Sequence, residues 1–558
     1  MAAGYAFVII ANRQSGLILT QVWRLTRLWV PILGLIAVAA GLRIAYARGQ
    51  GLWGDELFSL ALATGHSLEG APSTWQPALG DFVSYGVPSA PADLRHYLEH
   101  EAPAASPARV IRAVLLSDTN PPGYYLALWL WTLIVGTRDI SLRLFSVAWA
   151  VGCVPILWAV AQMIGGRGVA FAACLLFAVL PLSMDFSIEV RMYSMLWFWS
   201  ISTAWATLML HDQGARPALL AIWIVISAAG LLTHYFFAFA WGPMTLWLLL
   251  QPGRLKRWQC VACIVVVVLL IAPWYAQVPQ SLSAWRVTKD WTKIGNQYRP
   301  FVWFVHNALA VITITDAQGN TIHSARVAII AAIGLAVMTW AVRAAVTGRW
   351  LLIFFWWLVP VLGLFAIDMV LGTYTAAYPR YAIAGVPAAV LLVAFAVGSL
   401  PQRLRVPLVA LMVLACLPDL RRLFVSPLDD RNSWFRPVSW QLDQHAGPDQ
   451  LVLVHSIPSG ILGIARYTHT ATPLALWTQQ LRNFENRNNA NAIAADVVKL
   501  TAGYRKIYAV SVHDIGAPSP ELDYLRQHAK IAAESRYGGY RTRMLELQPL
   551  NGEVFAWP

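Results

Sequence analysis

Charge is what this chain has least of. Of its 558 residues only 12% are Asp, Glu, Lys or Arg, while 58% are hydrophobic and the mean hydropathy is +0.54. A soluble domain carries roughly 25% charged residues, so a water-soluble globule is excluded. The 32 prolines and 37 glycines scattered among the apolar runs exclude a coiled coil or a collagen. Cysteine is equally scarce. Cys153, Cys174, Cys260, Cys263 and Cys416 all fall inside apolar runs and none follows residue 424, so the tail needs no disulfide framework. Cys260 and Cys263 form a C-x-x-C without a second pair or a nearby His, and read as small packing residues. No Walker loop, G-x-G-x-x-G after a strand, H-E-x-x-H or G-x-S-x-G stands in a credible context, which leaves nucleotide hydrolysis and zinc or serine chemistry unsupported. There is no fixed-period repeat and no inverted symmetry, which argues against a secondary transporter.

What is there is a series of apolar runs of membrane-spanning length, at 27–47, 141–163, 168–186, 191–211, 217–233, 235–250, 258–276, 325–343, 350–371, 381–399 and 406–423. The first lacks the cleavage site of a signal peptide and reads as a retained span. Residues 121–136, PPGYYLALWLWTLIVG, are apolar but short. If they do not cross, the basic residues Arg13, Arg24, Arg27, Arg167, Arg216, Arg254, Lys256, Arg257, Arg343, Arg349, Arg403 and Arg405 all fall on the cytoplasmic side. The segment therefore reads as an interfacial or re-entrant helix on the outer face. The net charge of +13 follows from these loops and from anionic headgroups, without any nucleic-acid partner. The predicted architecture is a polytopic α-helical membrane domain over 1–424, with about eleven spans, interfacial helices and a long outer loop at 48–140. A small extracytoplasmic α/β domain follows at 425–558. In that tail DQLVLVHS, RKIYAVSV and RMLELQ alternate as strands, and PSGILGIARY and PELDYLRQHAK have helical periodicity.

Ionisable residues near hydrocarbon are costly and mark function. Here they gather at the outer ends of the spans. Asp55 and Glu56 follow the first span, and neighbours on a helix point about 100° apart, so one carboxylate does chemistry while the other caps or pairs with an arginine. Asn120, Pro121, Pro122, Tyr124 and Tyr125 close the long outer loop, where the tyrosines anchor at the interface or stack on a sugar. Asp185, Glu189, Arg191 and Tyr193 crowd one short outer turn, and an arginine there suits either a carboxylate or a phosphate. His234 and Tyr235 occupy the next, and Tyr378, Arg380 and Tyr381 the last. The loop at 277–300 interleaves Arg286, Lys289, Asp290, Lys293 and Arg299 with Trp285, Trp291 and Tyr298, a mix that fits an anionic headgroup or a glycan.

The order of these motifs over residues 25–400 resembles that of the GT-C fold glycosyltransferases related to protein O-mannosyltransferases and the lipid A aminoarabinose transferase. It runs from an acidic pair after the first span through Pro-Pro-x-Tyr-Tyr, E-x-R-M-Y and H-Y-F-F to a late R-Y. The resemblance implies a multi-pass enzyme of the bacterial cytoplasmic membrane. It would take a sugar from a polyprenyl-phosphate carrier on the extracytoplasmic side and give it to a lipid, glycan or protein acceptor. Asp55 matches the acidic residue at the reaction centre and Glu56 its neighbour. Arg191 and Tyr193 match the turn near the donor, and Arg380 and Tyr381 the late outer turn. Many relatives have His before the Pro-Pro where this chain has Asn120, which puts the acceptor or its binding mode in question.

On this reading Asp55 is the general base of a direct, inverting attack, and Arg191 and Arg380 with His234 hold the donor phosphate. Glu56 or Glu189 orients these groups. Tyr193, Tyr235 and Tyr381 line the donor side, and Asn120, Tyr124, Tyr125 and Lys289 are the acceptor or interface candidates. Asp55, Glu56, Asp118 and Glu189 offer oxygen ligands for a divalent cation, yet relatives that work without a metal make none the expectation. The competing classes are a transporter or flippase for envelope glycolipid, with ionisable groups at the midplane, and a non-catalytic protein whose tail binds a partner.

Overall fold

The computed structural model describes residues 29–118, 120–289, 301, 348–425, 434–514, 516–538 and 542–557. The expected span at 325–343, Arg13, Arg24, Arg27 and Arg343, and the loop residues from Asp290 to Arg299 lie outside the described residues.

In hydrocarbon every backbone polar group needs an internal partner, so the long apolar runs fold as helices. Five among the described residues are long and apolar enough to cross a bilayer: Trp29–Ala47 (α1), Asp139–Val179, Arg257–Ser283, Gly348–Leu371 and Pro379–Gly398. Tyr193–Gln213 and Gln402–Val425 have spanning length with more polar composition. The chain is a multi-pass membrane protein.

Three segments depart from the predicted boundaries. The runs at 141–163 and 168–186 are two helices joined at Gly166, whose φ of 80° only glycine adopts without strain, and they fold back so that Cys174 Sγ lies 3.5 Å from Val154 O. The second ends early, at Val179, and a separate helix covers Pro181–Ile188. Pro181 has no N–H for the Phe177 carbonyl. Arg43, buried in α1, supplies the missing donor and bonds Phe177 O at 3.1 Å, Ala178 O at 3.2 Å and Ser183 Oγ at 2.9 Å. The runs at 217–233 and 235–250 are helical only over Pro217–Leu231 and Phe237–Leu250, so residues 232–236 are left as a polar turn.

Residues 121–136 form the 13-residue helix Gly123–Val135, about 20 Å long at 1.5 Å per residue and too short to cross. Gly123 seats it against the 232–236 turn, with its N–H on Leu232 O at 2.8 Å. A Cβ there would stand 2.7 Å from the same oxygen. Ahead of it α2 (Gly54–Ala63) follows α1, and Glu56 accepts the Trp53 N–H at 3.0 Å to fasten its first turn.

The tail folds around a five-stranded sheet in the order β2-β1-β3-β5-β4, formed by β1 Gln450–His455, β2 Leu474–Trp477, β3 Lys506–Ser511, β4 Ala529–Tyr537 and β5 Thr542–Pro549. β1 is parallel to β2 and β3, whereas β5 is antiparallel to β3 and β4. The expected helix over 520–530 stops at His528, where Ala529 enters β4. The edge of β2 is not bare. Ser89 of the long loop exchanges both backbone bonds with Leu474 at 2.9 Å, and Gly86 N donates to Leu476 O at 3.0 Å. Apolar residues of the loop, the 123–135 helix and the sheet form one continuous core, including Leu60, Tyr125, Leu462 and Val454.

Candidate active site

The first turn of α2, Asp118 and Asn120, the turns at 189–193 and 232–236, the 282–289 segment, the start of the Pro379–Gly398 helix and two loops of the tail line a cavity of ≈ 520 Å³. Asp55, Asn120, Arg191, Tyr193, His234, Tyr235, Lys289, Arg380 and Tyr381 all line it. Sequence stretches more than 300 residues apart therefore converge.

Asp55 is the carboxylate that reaches this space. Its Oδ2 takes a charge-assisted bond from Arg380 Nη1 at 3.0 Å, and its side chain remains 26% exposed. The Arg380 guanidinium lies over the rings of Trp53, Tyr378 and Tyr381, 5.0 to 5.8 Å from their centroids, so aromatic faces hold it while its charge faces the cavity. Arg191 approaches from the other side. Its Nη1 bonds Ser59 Oγ at 2.9 Å and the Asp55 carbonyl at 3.4 Å, and stands 3.8 Å from Asp118 Oδ2. Asp118 also accepts from Tyr125 OH and from Asn120 Nδ2 at 2.9 Å. Burial alone would push the Asp118 carboxyl up, but the Arg191 charge and these bonds outweigh it and hold the group below the usual carboxylate range.

His234 is buried, and its Nδ1 accepts the Phe236 N–H at 3.0 Å. Burial, reinforced by the Arg191 charge, pushes its pKa down to about 3. A neutral ring whose Nδ1 is an acceptor carries its proton on Nε2, so His234 is a hydrogen-bond donor without charge. Tyr235 OH accepts from Trp274 Nε1 at 3.2 Å. Arg286, on the same wall as Lys289, is anchored to the carbonyls of Leu115 and Leu116.

Four expected residues stand elsewhere. Glu56 is fully enclosed and paired with Arg143 through bonds of 2.8 and 2.9 Å, and it also accepts the Val190 N–H at 2.8 Å. Glu189 is buried beside this pair, and burial, with Glu56 and Asp185 nearby, raises its pKa well above the ordinary range. Tyr124 is buried in the core, and Tyr125 acts through Asp118 instead of facing the cavity. Of the carboxylates expected as cation ligands, Asp55, Glu56 and Asp118 take arginine, tyrosine or amide donors, whereas Glu189 Oε2 is buried with no hydrogen-bond partner among the described residues. Among the described residues no three His, Cys, Asp or Glu side chains form a cation-holding group.

Two cavity residues come from the tail, which the sequence did not connect to the site. Ile457 and His513 follow the carboxyl ends of the parallel strands β1 and β3. Ligand crevices of parallel sheets lie at those ends, so the V-H-D step after the RKIYAVSV strand was the available signal. His513 Nε2 stands 3.7 Å from Asp55 Oδ1.

Residues 119–276 match the family described as dolichyl-phosphate-mannose-protein mannosyltransferase. Sequence comparison with curated proteins gives no match. Among solved structures, ArnT from Cupriavidus metallidurans in the apo state aligns over 93% of this chain and 97% of that one, at 11% identity and a TM-score of 0.56. The same protein bound to undecaprenyl phosphate aligns over 93% and 98%, at 12% identity and 0.56. The archaeal oligosaccharyltransferase AglB from Archaeoglobus fulgidus, in complex with an inhibitory peptide and a dolichol-phosphate, aligns over 86% and 69%, at 11% identity and 0.47. The chain has the ArnT-like GT-C fold.

Proposed function

We propose that this protein is a membrane glycosyltransferase that moves a sugar from a polyprenyl-phosphate donor to an extracytoplasmic acceptor hydroxyl with inversion. The observation that carries this reading is the convergence of Asp55, Arg191 and Arg380 in one cavity. The matched family and the undecaprenyl phosphate bound by ArnT support the donor class. The basic loops on the opposite side support an outward-facing site in the bacterial inner membrane.

A phosphate-linked sugar is already activated, so the protein has to position the acceptor, take its proton and stabilise the phosphate. Asp55 accepts the hydroxyl proton as the acceptor oxygen attacks the anomeric carbon on the face away from the phosphate. The bond from that carbon to the phosphate oxygen breaks, and its electron pair stays on the phosphate. Arg191, Lys289 and the His234 Nε2–H lie where that charge grows. Arg380 fixes the Asp55 carboxylate and adds a second guanidinium charge. Asp118 holds Arg191 in place through the bonds it receives from Asn120 and Tyr125.

The test is transfer of radiolabel from an undecaprenyl-phosphate-linked sugar in proteoliposomes, with Asp55→Asn beside the wild type. Loss of a general base lowers turnover by about 10²–10⁴. Full turnover by a folded Asp55→Asn protein, or movement of label across the bilayer without a new glycosidic bond, overturns the proposal.

A further inference from the structure

We infer that His513, carried by the C-terminal domain, is a positioning residue for the Asp55 carboxylate, which makes that domain part of the active site. The inference rests on the glycosyl-transfer reading and assigns the tail a task in it.

Three observations converge on this histidine. The first is its partners. Ser459 Oγ lies 3.0 Å from Nδ1 on one side of the ring, and Asp55 Oδ1 lies 3.7 Å from Nε2 on the other. When the serine hydroxyl donates to Nδ1, the single proton of a neutral imidazole sits on Nε2 and points at the carboxylate. With Arg380 on Oδ2, both oxygens of Asp55 then have a fixed neighbour. A separation of 3.7 Å is longer than a hydrogen bond, and catalytic hydrogen bonds commonly shorten only when substrate is seated.

The second is the backbone. His513 has φ of 47°, in the left-handed region that side chains other than glycine rarely enter. Strain of this kind concentrates where function holds a side chain in place. The third is Gly54, whose position in the first turn of α2 is covered by the His513 ring. A Cβ there would overlap the imidazole, so the close approach of tail and helix needs this glycine.

The charged groups around the ring are Asp55 from α2, Arg380 from the late outer turn and Asp514 from its own loop. Burial lowers the imidazole pKa, with the Arg380 charge acting in the same sense and the two aspartates against it. The ring is therefore neutral, which suits an orienting donor.

The experiment compares wild type, His513→Ala, His513→Gln and Ser459→Ala in the same proteoliposome assay, reading kcat and KM for the lipid-linked sugar. His513→Ala is expected to lower kcat at least tenfold with KM within twofold. Gln places an amide N–H near the lost Nε2 and is expected to restore at least a third of wild-type kcat. Wild-type kcat in His513→Ala, a loss confined to KM, or equal loss in the Ala and Gln proteins overturns the inference. Should His513→Ala fail to fold, Ser459→Ala decides: at least a threefold fall in kcat at constant KM supports the role, and unchanged kcat refutes it. Failure of the wild type to transfer any lipid-linked sugar refutes the glycosyl-transfer reading itself, and that result is seen before any variant is made.

Discussion

Adjacent carboxylates with opposite surroundings give the sharpest prediction. Asp55 opens to the cavity, whereas Glu56 and Arg143 are both 0% exposed. Replacing Glu56 by Ala strands three groups at once: the Arg143 guanidinium, the Val190 N–H and the Trp53 N–H. Removing one member of a buried pair costs about 3–5 kcal/mol, and each orphaned N–H adds about 1–3 kcal/mol. Arg143 keeps its bonds to the Gly51 and Ile188 carbonyls, so the lower end of the summed range, about 5 kcal/mol, is expected. Glu56→Ala and Arg143→Ala proteins should therefore aggregate or unfold well below the wild-type temperature in detergent, as followed by fluorescence-detected size-exclusion after heating. The Glu56→Leu/Arg143→Met double variant should recover the share owed to the stranded guanidinium, because an apolar pair of similar volume often replaces a buried ion pair at little cost, but not the share owed to the Val190 and Trp53 N–H groups, which stay without their acceptor. A Glu56→Ala protein that keeps the wild-type midpoint and loses only activity would refute the reasoning and return Glu56 to the reaction.

Further outcomes follow from other contacts. Arg380→Lys keeps the charge but loses the planar group held between aromatic faces, and should lower kcat/KM at least tenfold in the transfer assay. Glu69, buried in the long loop with Oε2 on the Thr288 N–H at 3.1 Å, has its pKa pushed up to about 7, chiefly by burial. A raised acid pKa means that the folded state binds the proton more tightly. Wild-type stability should then fall as pH rises from about 4.5 to about 7 and level off above, by about 3 kcal/mol in total. Glu69→Gln should lack that slope, and a parallel thermal-midpoint profile for the two proteins would contradict it. Gly123→Ala forces a methyl group against Leu232 O and should cost about 1–3 kcal/mol. It should also weaken donor binding through the displaced Asn120 and His234 turns, as measured by KM.

Most of the spans, and the gathering of charged residues at their ends, could be read from hydropathy, because it responds to the bilayer over whole segments. What escaped was set by single atoms. The missing N–H of Pro181 ends a helix that hydropathy alone carries to residue 186, and the rescue comes from Arg43, more than 130 residues away. Asp55 and Glu56 are separable only in three dimensions, since the partner that takes Glu56, Arg143, lies on another helix. In the tail β1, β3 and β5 fall where strands were expected, although β1 and β3 are buried on both faces and do not alternate in exposure. β4 is an exposed edge strand and β2 has only four residues, so neither has a pattern to detect. The entry of His513 into the cavity depends on how the tail docks, which no local periodicity encodes.

The strand-like pairing of residues 85–89 with β2 has a further consequence. The loop and the tail, separated by some 380 residues of chain, complete one hydrogen-bonded layer. A tail produced by itself would present a raw strand margin open to self-association. A loop deprived of its tail would lose the backbone partners of Gly86 and Ser89. Chimaeras that exchange the tail between homologous enzymes should therefore carry this loop segment along with it, because the two halves are cut to each other's register.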